Sequence, residues 1–256
     1  MTDASLQPYS SDANAFRFAT APERRLLDLA NQARIEAGLV PLQADEGLAQ
    51  AARAHAAFMA AEQQLSHQFS GEPALPQRLA SASKLHFDVA GENVAYAGTV
   101  EQAANNLMHS PQHRENLLSA DFNVAGFAVL QSGPRLYVVQ DFAHSLPSIS
   151  GREAEDAIAT EINRLRSAAR LSQLQKMDDT VAKTTACSMA NADSLKTPSP
   201  RGRYIMRYTA MQPDNLPSAI SKVISDASVN AFAESTCYAK TATYPDGAYF
   251  VALIFY

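Results

Sequence analysis

The side chains of this 256-residue chain best suited to proton or metal chemistry near neutral pH are its six histidines. All six lie at or before His144, whereas both cysteines, Cys187 and Cys237, lie after it. Imidazole chemistry and covalent stapling therefore belong to different halves. His109 and His113 stand four residues apart, the spacing of a helical metal-ligand pair, but Pro111 between them disfavours a continuous helix. That makes His109 a rim residue. His55 reads as a packed or half-exposed helix residue, while His86 and His144 carry no motif and read as solvent-exposed. No His-Glu-x-x-His run, Gly-x-Ser-x-Gly turn or phosphate-cradling glycine-rich loop occurs. A hydrolase pairing Ser66 or Ser110 with His67 or His113 is one arrangement among many, and spacing does not select it.

Four short segments of the first half stand out together: Leu65-Ser-His67, Gly91-Glu-Asn-Val-Ala95, Ser110-Pro-Gln-His-Arg-Glu-Asn-Leu117 and Tyr137-Val-Val-Gln-Asp-Phe142. They follow Asn31-Gln-Ala-Arg34 and the turn Gly38-Leu-Val-Pro-Leu42 in a fixed order. The set resembles the CAP superfamily (cysteine-rich secretory proteins, antigen 5 and pathogenesis-related proteins) in its short bacterial form, over residues 22–145. The resemblance implies one cleft lined by His67, Glu92 and His113, with Asn93 and Ser110 beside them, that can hold a divalent metal. The implied ligands are His67 and His113, with Glu92 as a third ligand or a general base. Two neutral imidazoles and a carboxylate suit zinc and leave a coordination position open for water or substrate. Separations of 25 and 21 residues are too long for one helix, so the fold itself must converge these groups. The bland alternative is a set of hydrogen-bonded polar residues that hold loops together.

One departure from the family pattern matters. The eukaryotic branch carries a second acid three residues after a tryptophan; Leu107 and Ser110 stand at those positions here. A two-carboxylate acid–base scheme then lacks its partner, and Ser110 is left to orient a bound water.

The elements that must position these groups are partly readable. Thr20-Ala-Pro-Glu23 is a helix start with a capping box, followed by Leu26, Leu29, Ala30 and Ala33 at helical spacing and stopped by Gly38. Asp45 caps a second helix bearing His55, and Thr99 opens a third that runs to about Met108. Val124–Leu130 and Leu136–Phe142 read as strands of a hairpin. The second half repeats the order: helices over Glu153–Ala169, Asp179–Asp193 and Leu216–Asp226, then two strands around Tyr244-Pro-Asp-Gly247. Asn31, Arg34 and Leu42 recur 132 positions later as Asn163, Arg166 and Leu174, and one inserted residue later Asp45 corresponds to Asp178. This reads as a diverged internal duplication.

The expected architecture is a tandem α/β (α+β) fold of three-layer α/β/α sandwiches with central antiparallel sheets. The expected organisation is a flexible segment 1–19, a CAP domain 20–145, a linker 146–151 and a degenerate CAP-like domain 152–256. In the second copy Pro200 replaces His67, and Gly202–Tyr208 supplies no carboxylate where Gly91-Glu-Asn93 stands in the first. Its Arg201, Arg203 and Arg207 beside Tyr204 and Tyr208 read as a solvated strand edge. Cys187 and Cys237 fall on a helix and a strand that pack together in such a sandwich, so they either form a disulfide or stay as buried thiols.

Composition excludes other classes. The chain is 46% hydrophobic and 18% charged, enough for a core and too little charge for disorder. No apolar run is long enough to span a bilayer. Residues 1–150 carry a net charge of −6 and residues 151–256 of +1, without the basic excess that nucleic acid demands. The resemblance implies a secreted or periplasmic protein whose leader has been removed. Its expected partner is a small apolar, amphipathic or envelope-derived ligand, and a homo-oligomer is compatible with the sequence. A metal-dependent hydrolase and a purely structural protein with a vestigial cleft are the competing readings.

Overall fold

A computed structural model describes residues 20–196 and 201–256. The expected segment 1–19 and Pro200 lie outside the described residues. In chain order the elements are α1 (Ala21–Glu36), β1 (Gln43–Ala44), α2 (Glu46–Glu62), α3 (Leu75–Ala82), β2 (His86–Ala97), α4 (Val100–His109), α5 (Pro111–Leu117), β3 (Val124–Ser132), β4 (Arg135–Leu146), α6 (Gly151–Ala168), β5 (Gln175–Lys176), α7 (Thr180–Asn191), β6 (Tyr204–Ala210), α8 (Ile220–Ile224), β7 (Ala231–Ala239) and β8 (Ala248–Phe255). The chain divides between Ser145 and Leu146 into two compact units, each with its own sheet and core.

In the first unit the helix starts follow from their caps. Thr20 accepts from the Glu23 amide while the Glu23 carboxylate accepts from the Thr20 amide, the reciprocal pair that satisfies two orphan donors. Asp45 accepts from Leu48 N at the start of α2, and Thr99 from Gln102 N at the start of α4. The sheet order is β1-β3-β4-β2. Leu26, Leu27 and Ala30 of α1, Ala103 and Leu107 of α4 and Leu117 of α5 pack with Phe127, Val138 and Phe142 on one face. The other face receives α2 and α3 through Leu48, Ala52, Ala56, Met59 and Leu79. The approach of α2 to β3 requires Gly126, where a Cβ would lie 2.0 Å from Ala49 N.

The second unit has the same layout, with order β5-β7-β8-β6. Here α6 and α8 cover one face through Ile158, Ile162, Val223 and Ile224, and α7 covers the other through Ala182, Ala186 and Met189. A disulfide joins Cys187 of α7 to Cys237 of β7 across a Cα separation of 5.0 Å, which settles the choice between bridge and thiols.

Three expectations need correction. The sheets are mixed: β3–β4, β6–β8 and β7–β8 are antiparallel, but the two-residue strands β1 and β5 pair in parallel with β3 and β7. The second helix of the repeat is capped by Asp179, so the counterpart of Asp45 lies 134 positions on and the insertion is two residues long. The expected third helix over Leu216–Asp226 shrinks to the five residues of α8: Leu216 and Pro217 are irregular, and a turn at Ser218-Ala219 leads into the helix.

The two units share a physical signature. Arg34 is buried and donates to the carbonyls of Val40, Leu117, Ser119 and Phe122. Arg166 is buried and donates to those of Ser172, Ile224, Asp226 and Val229. Each guanidinium gathers the turn after its own helix and the loop entering the third strand of its sheet. Likewise Leu42 N donates to Asn31 Oδ1, and Leu174 N to Asn163 Oδ1.

Candidate functional site

His67 lies in the loop between α2 and α3, Glu92 on β2 and His113 on α5, so three separate segments converge on the β2 edge. The His67 side chain is 59% exposed and that of Glu92 only 3%. They meet through a hydrogen bond of 2.8 Å between His67 Nδ1 and Glu92 Oε1. That bond holds the His67 pKa above the ordinary imidazole value, against partial burial and the Arg78 charge. His113 is half-buried; burial and the His67 charge push its pKa down.

Behind the pair stands a buried ionic cluster. Arg78 of α3 donates from Nη2 to Glu92 Oε2 at 2.6 Å and from Nη1 to Glu72 Oε1 at 2.8 Å. His55, wholly buried on α2, contacts Glu72 Oε1 through Nδ1 at 2.7 Å, and its Nδ1 also abuts Arg78 Nη1. His55 Nε2 donates to the Ser66 carbonyl at 2.8 Å, which pins the residue preceding His67. Burial raises the Glu72 pKa, but the hydrogen bonds from Arg78 and His55 outweigh it, leaving the carboxyl below its usual range. Asp141 of β4 is buried within interaction range of Glu92, and its Oδ1 has no hydrogen-bond partner among the described residues. Burial, followed by the Glu92 charge, raises its pKa well above the usual carboxylate value.

This cluster revises several expectations. His55 takes the packed of its two expected states, and it is bound into the ionic network. His86 is also buried, contrary to the expected exposure, and His144 is half-exposed with Nδ1 2.7 Å from Asp88. The cleft does not rest on a lone carboxylate, since Glu72 and Asp141 accompany Glu92, although neither occupies the Ser110 position. Arg78, Glu72 and Asp141 were not singled out by the sequence reading. For Asp141 a signal existed, an acid inside the apolar strand Tyr137–Phe142; Glu72 and Arg78 sit in a stretch without periodicity.

Asn93 has no exposed surface and does not face a ligand. Its Nδ2 donates to the His113 carbonyl at 3.0 Å and to Gln140 Oε1 at 3.1 Å, while its Oδ1 accepts from Asn116 Nδ2 at 3.0 Å. Asn116 Nδ2 also donates to the Glu92 carbonyl at 3.2 Å. These amides latch α5 onto β2 and thereby place His113 relative to Glu92. Gly91 permits the close pass, since a Cβ there would lie 2.7 Å from the Phe122 ring. Ser110 separates α4 from α5, makes no side-chain cap bond, and is bonded to neither His67 nor Glu92. Leu107, at the tryptophan position, is core. His109 is exposed and ends α4, as the Pro111 break implied. It borders an open hollow of about 770 Å³ lined also by Met108, Pro111, Arg114, Glu115 and Leu118.

As a metal site the donors fit only in part. No group of three His, Cys, Asp or Glu side chains among the described residues is arranged to hold a cation. Both Glu92 oxygens are engaged, one by His67 and one by Arg78. Glu92 instead stands behind His67, in the manner of a carboxylate that orients a histidine ring.

Among the described residues, the second unit has no counterpart to this cluster. The residue equivalent to His55, counted from the helix caps, is the buried Met189, and Ala182, Ala233 and Ile254 form an apolar cluster on that face. Arg203 pairs with Asp226 at 3.3 Å, and Arg207 donates to the Leu195 carbonyl at 3.4 Å. Glu234 of β7 is paired with Lys176 Nζ at 2.7 Å; burial nevertheless pushes its pKa up to about 7.

Comparison with known proteins agrees with this division. The CAP family (cysteine-rich secretory protein family) matches residues 27–142. The uncharacterized protein YkwD of Bacillus subtilis (strain 168) is 30% identical over 131 residues, 51% of this chain and 51% of that protein. The chain thus spans about half the length of that curated relative. An extracellular protein containing an SCP domain from Bacillus anthracis str. Ames is 26% identical, with a TM-score of 0.46 over 55% of this chain and 45% of its own. Na-ASP-1 is 10% identical with a TM-score of 0.51, covering 93% of this chain and 90% of its own, a likeness of fold that extends over both units. No described helix is long and apolar enough to cross a membrane. The family match and the amide latch thus fall in the same stretch of chain, and it is the N-terminal unit that is similar to the cysteine-rich secretory protein (CAP) family.

Proposed function

We propose that the N-terminal unit is a binding module that works outside the cytoplasm. Its cleft takes the polar head of a small amphipathic or envelope-derived molecule at His67 and His113. The observation that carries this reading is the His67 ring, exposed to solvent and anchored at Nδ1 by a buried carboxylate, so that Nε2 is left to meet a ligand. The hollow beside α4 and α5 supports it, since Met108, Pro111 and Leu118 offer apolar surface next to Arg114 and Glu115. The disulfide supports an oxidising compartment. Extraction of the purified protein followed by mass spectrometry tests the cargo. A bound amphiphile that is lost in His67→Ala is expected, and a clean extract together with no binding of any amphiphile panel member refutes the reading.

The second reading is metal-assisted hydrolysis, favoured by the carboxylate-backed imidazole. His67 and His113 would hold a divalent cation, which when bound lowers the pKa of a coordinated water. Glu92 orients His67, and Asn93 and Asn116 hold the His113 segment in place. Zinc titration of the wild type and of the His67→Ala, His113→Ala double variant separates the cases. Identical flat isotherms remove the metal from this reading.

A further inference from the structure

The exposed imidazole of the cleft is held at the end of a buried chain of charges that no motif in the sequence announces. Glu92 is a carboxylate with two oxygens, and the direction in which Oε1 points depends on what holds Oε2. In this fold that is Arg78 Nη2, while Nη1 of the same guanidinium is fixed on Glu72 Oε1. The three residues come from three places, Glu72 from the loop before α3, Arg78 from α3 and Glu92 from β2, and all three side chains are almost wholly buried. We propose that Arg78 is a positioning residue for the cleft: gripping Glu72 and Glu92 on two nitrogens of one planar group, it aims Glu92 Oε1 at His67 Nδ1 and so fixes the neutral His67 ring as its Nδ1–H tautomer with Nε2 outward.

The chemistry follows from donor and acceptor counts. An ionised carboxylate only accepts, so the nitrogen facing Glu92 must carry the hydrogen. The neutral ring then presents a bare lone pair at Nε2. That atom selects ligand groups that bring a proton or a positive charge, such as a hydroxyl, an ammonium or a metal cation, over groups that only accept. Arginine is required because its rigid fork reaches two acids with fixed geometry, whereas a lysine ammonium is a point charge on a flexible stem. The inference rests on the proposed binding role only for its consequence; the tautomer is a property of the ligand-free protein.

The test is long-range proton–nitrogen NMR on full-length protein carrying 15N-labelled histidine, at a pH where His67 is neutral. In the wild type the Nδ1–H form of His67 is expected in excess by about tenfold or more, the worth of a charge-assisted hydrogen bond. In Arg78→Lys, with folding checked by circular dichroism, that excess is expected to collapse to a mixture. Glu72→Gln, which keeps the shape but weakens the other arm of the grip, is expected to do the same to a smaller extent and carries the test if Arg78→Lys does not fold. A wild-type ring in the Nε2–H form overturns the proposal outright. Variants that melt earlier yet keep the wild-type tautomer overturn it as well, because Arg78 is then only a stabilising residue. A clean lipid extract with flat zinc isotherms would reject the binding role and leave the tautomer result standing.

Discussion

Asn93 shows how a polar residue can serve a cleft without lining it. Its amide closes a bridge between β2 and the carbonyl of His113, and removing it strands two partners in a buried setting. Asn93→Ala is expected to cost about 2–3 kcal/mol, from the penalty of unmet buried hydrogen bonds, and to raise amide exchange in α5 more than in α1. Chemical denaturation with hydrogen-exchange mass spectrometry reads both. His67→Ala, by contrast, touches a largely exposed ring and should leave stability within about 0.5 kcal/mol of the wild type. Glu234 supplies the pH dependence. Its carboxyl titrates at about 7 when folded, against 4.5 for a free glutamate side chain. Between those values the folded form keeps a proton that the unfolded chain releases. Stability from this group is full below the lower value, falls as pH rises through the window, and levels off above the upper one. The expected loss is on the order of 3 kcal/mol, seen as a falling melting temperature from about pH 5 to about pH 7.5. Glu234→Gln should flatten that slope; an unchanged slope would place its origin elsewhere.

At the scale of elements, the reading from sequence succeeded where the signal is local. Thr20, Asp45 and Thr99 each cap the helix they introduce, because a cap needs only its own first turn. The hairpin β3–β4 was legible from two apolar runs and the turn between them. α3 and α5 were not, being eight and seven residues long and each carrying a proline in its first turn. β2 hid because Gly91, Glu92 and Asn93 interrupt it with residues poor in strand preference. The site divides in the same way. His67, Glu92 and His113 belong to recognisable short segments, but the cluster of His55, Glu72, Arg78 and Asp141 exists only through tertiary convergence, and nothing in local spacing encodes it. The element most exposed to a single change is the turn network around α1. Arg34→Met leaves four backbone carbonyls without their donor, and at about 1–3 kcal/mol for each unmet group it should unfold the N-terminal unit or drop its melting temperature sharply. Arg166→Met should do the same to the C-terminal unit, and a mild effect in either would show that water replaces the guanidinium.

For the whole molecule, the disulfide is the only covalent cross-link among the described residues, and it closes a loop with a sequence separation of 50. The chain-entropy estimate for a loop of that length is about 4 kcal/mol. Replacing both cysteines by alanine should therefore lower the denaturation midpoint of the C-terminal unit and leave the response of the protein to zinc and to amphiphiles as it is in the wild type. Fluorescence-monitored melts of the separate and double variants, with the binding assays alongside, check this. Changed binding in the double variant would mean that the C-terminal unit contributes to the cleft after all.

The paired guanidiniums have a consequence for how such a protein can evolve. Arg34 and Arg166 draw together backbone carbonyls, which every sequence possesses, so each hub works whatever side chains surround it. The C-terminal unit has methionine where the second helix of the N-terminal unit has histidine, and it has the hub all the same. Chemistry and scaffold are thereby uncoupled, and a spare copy is free to lose the one while inheriting the other unchanged.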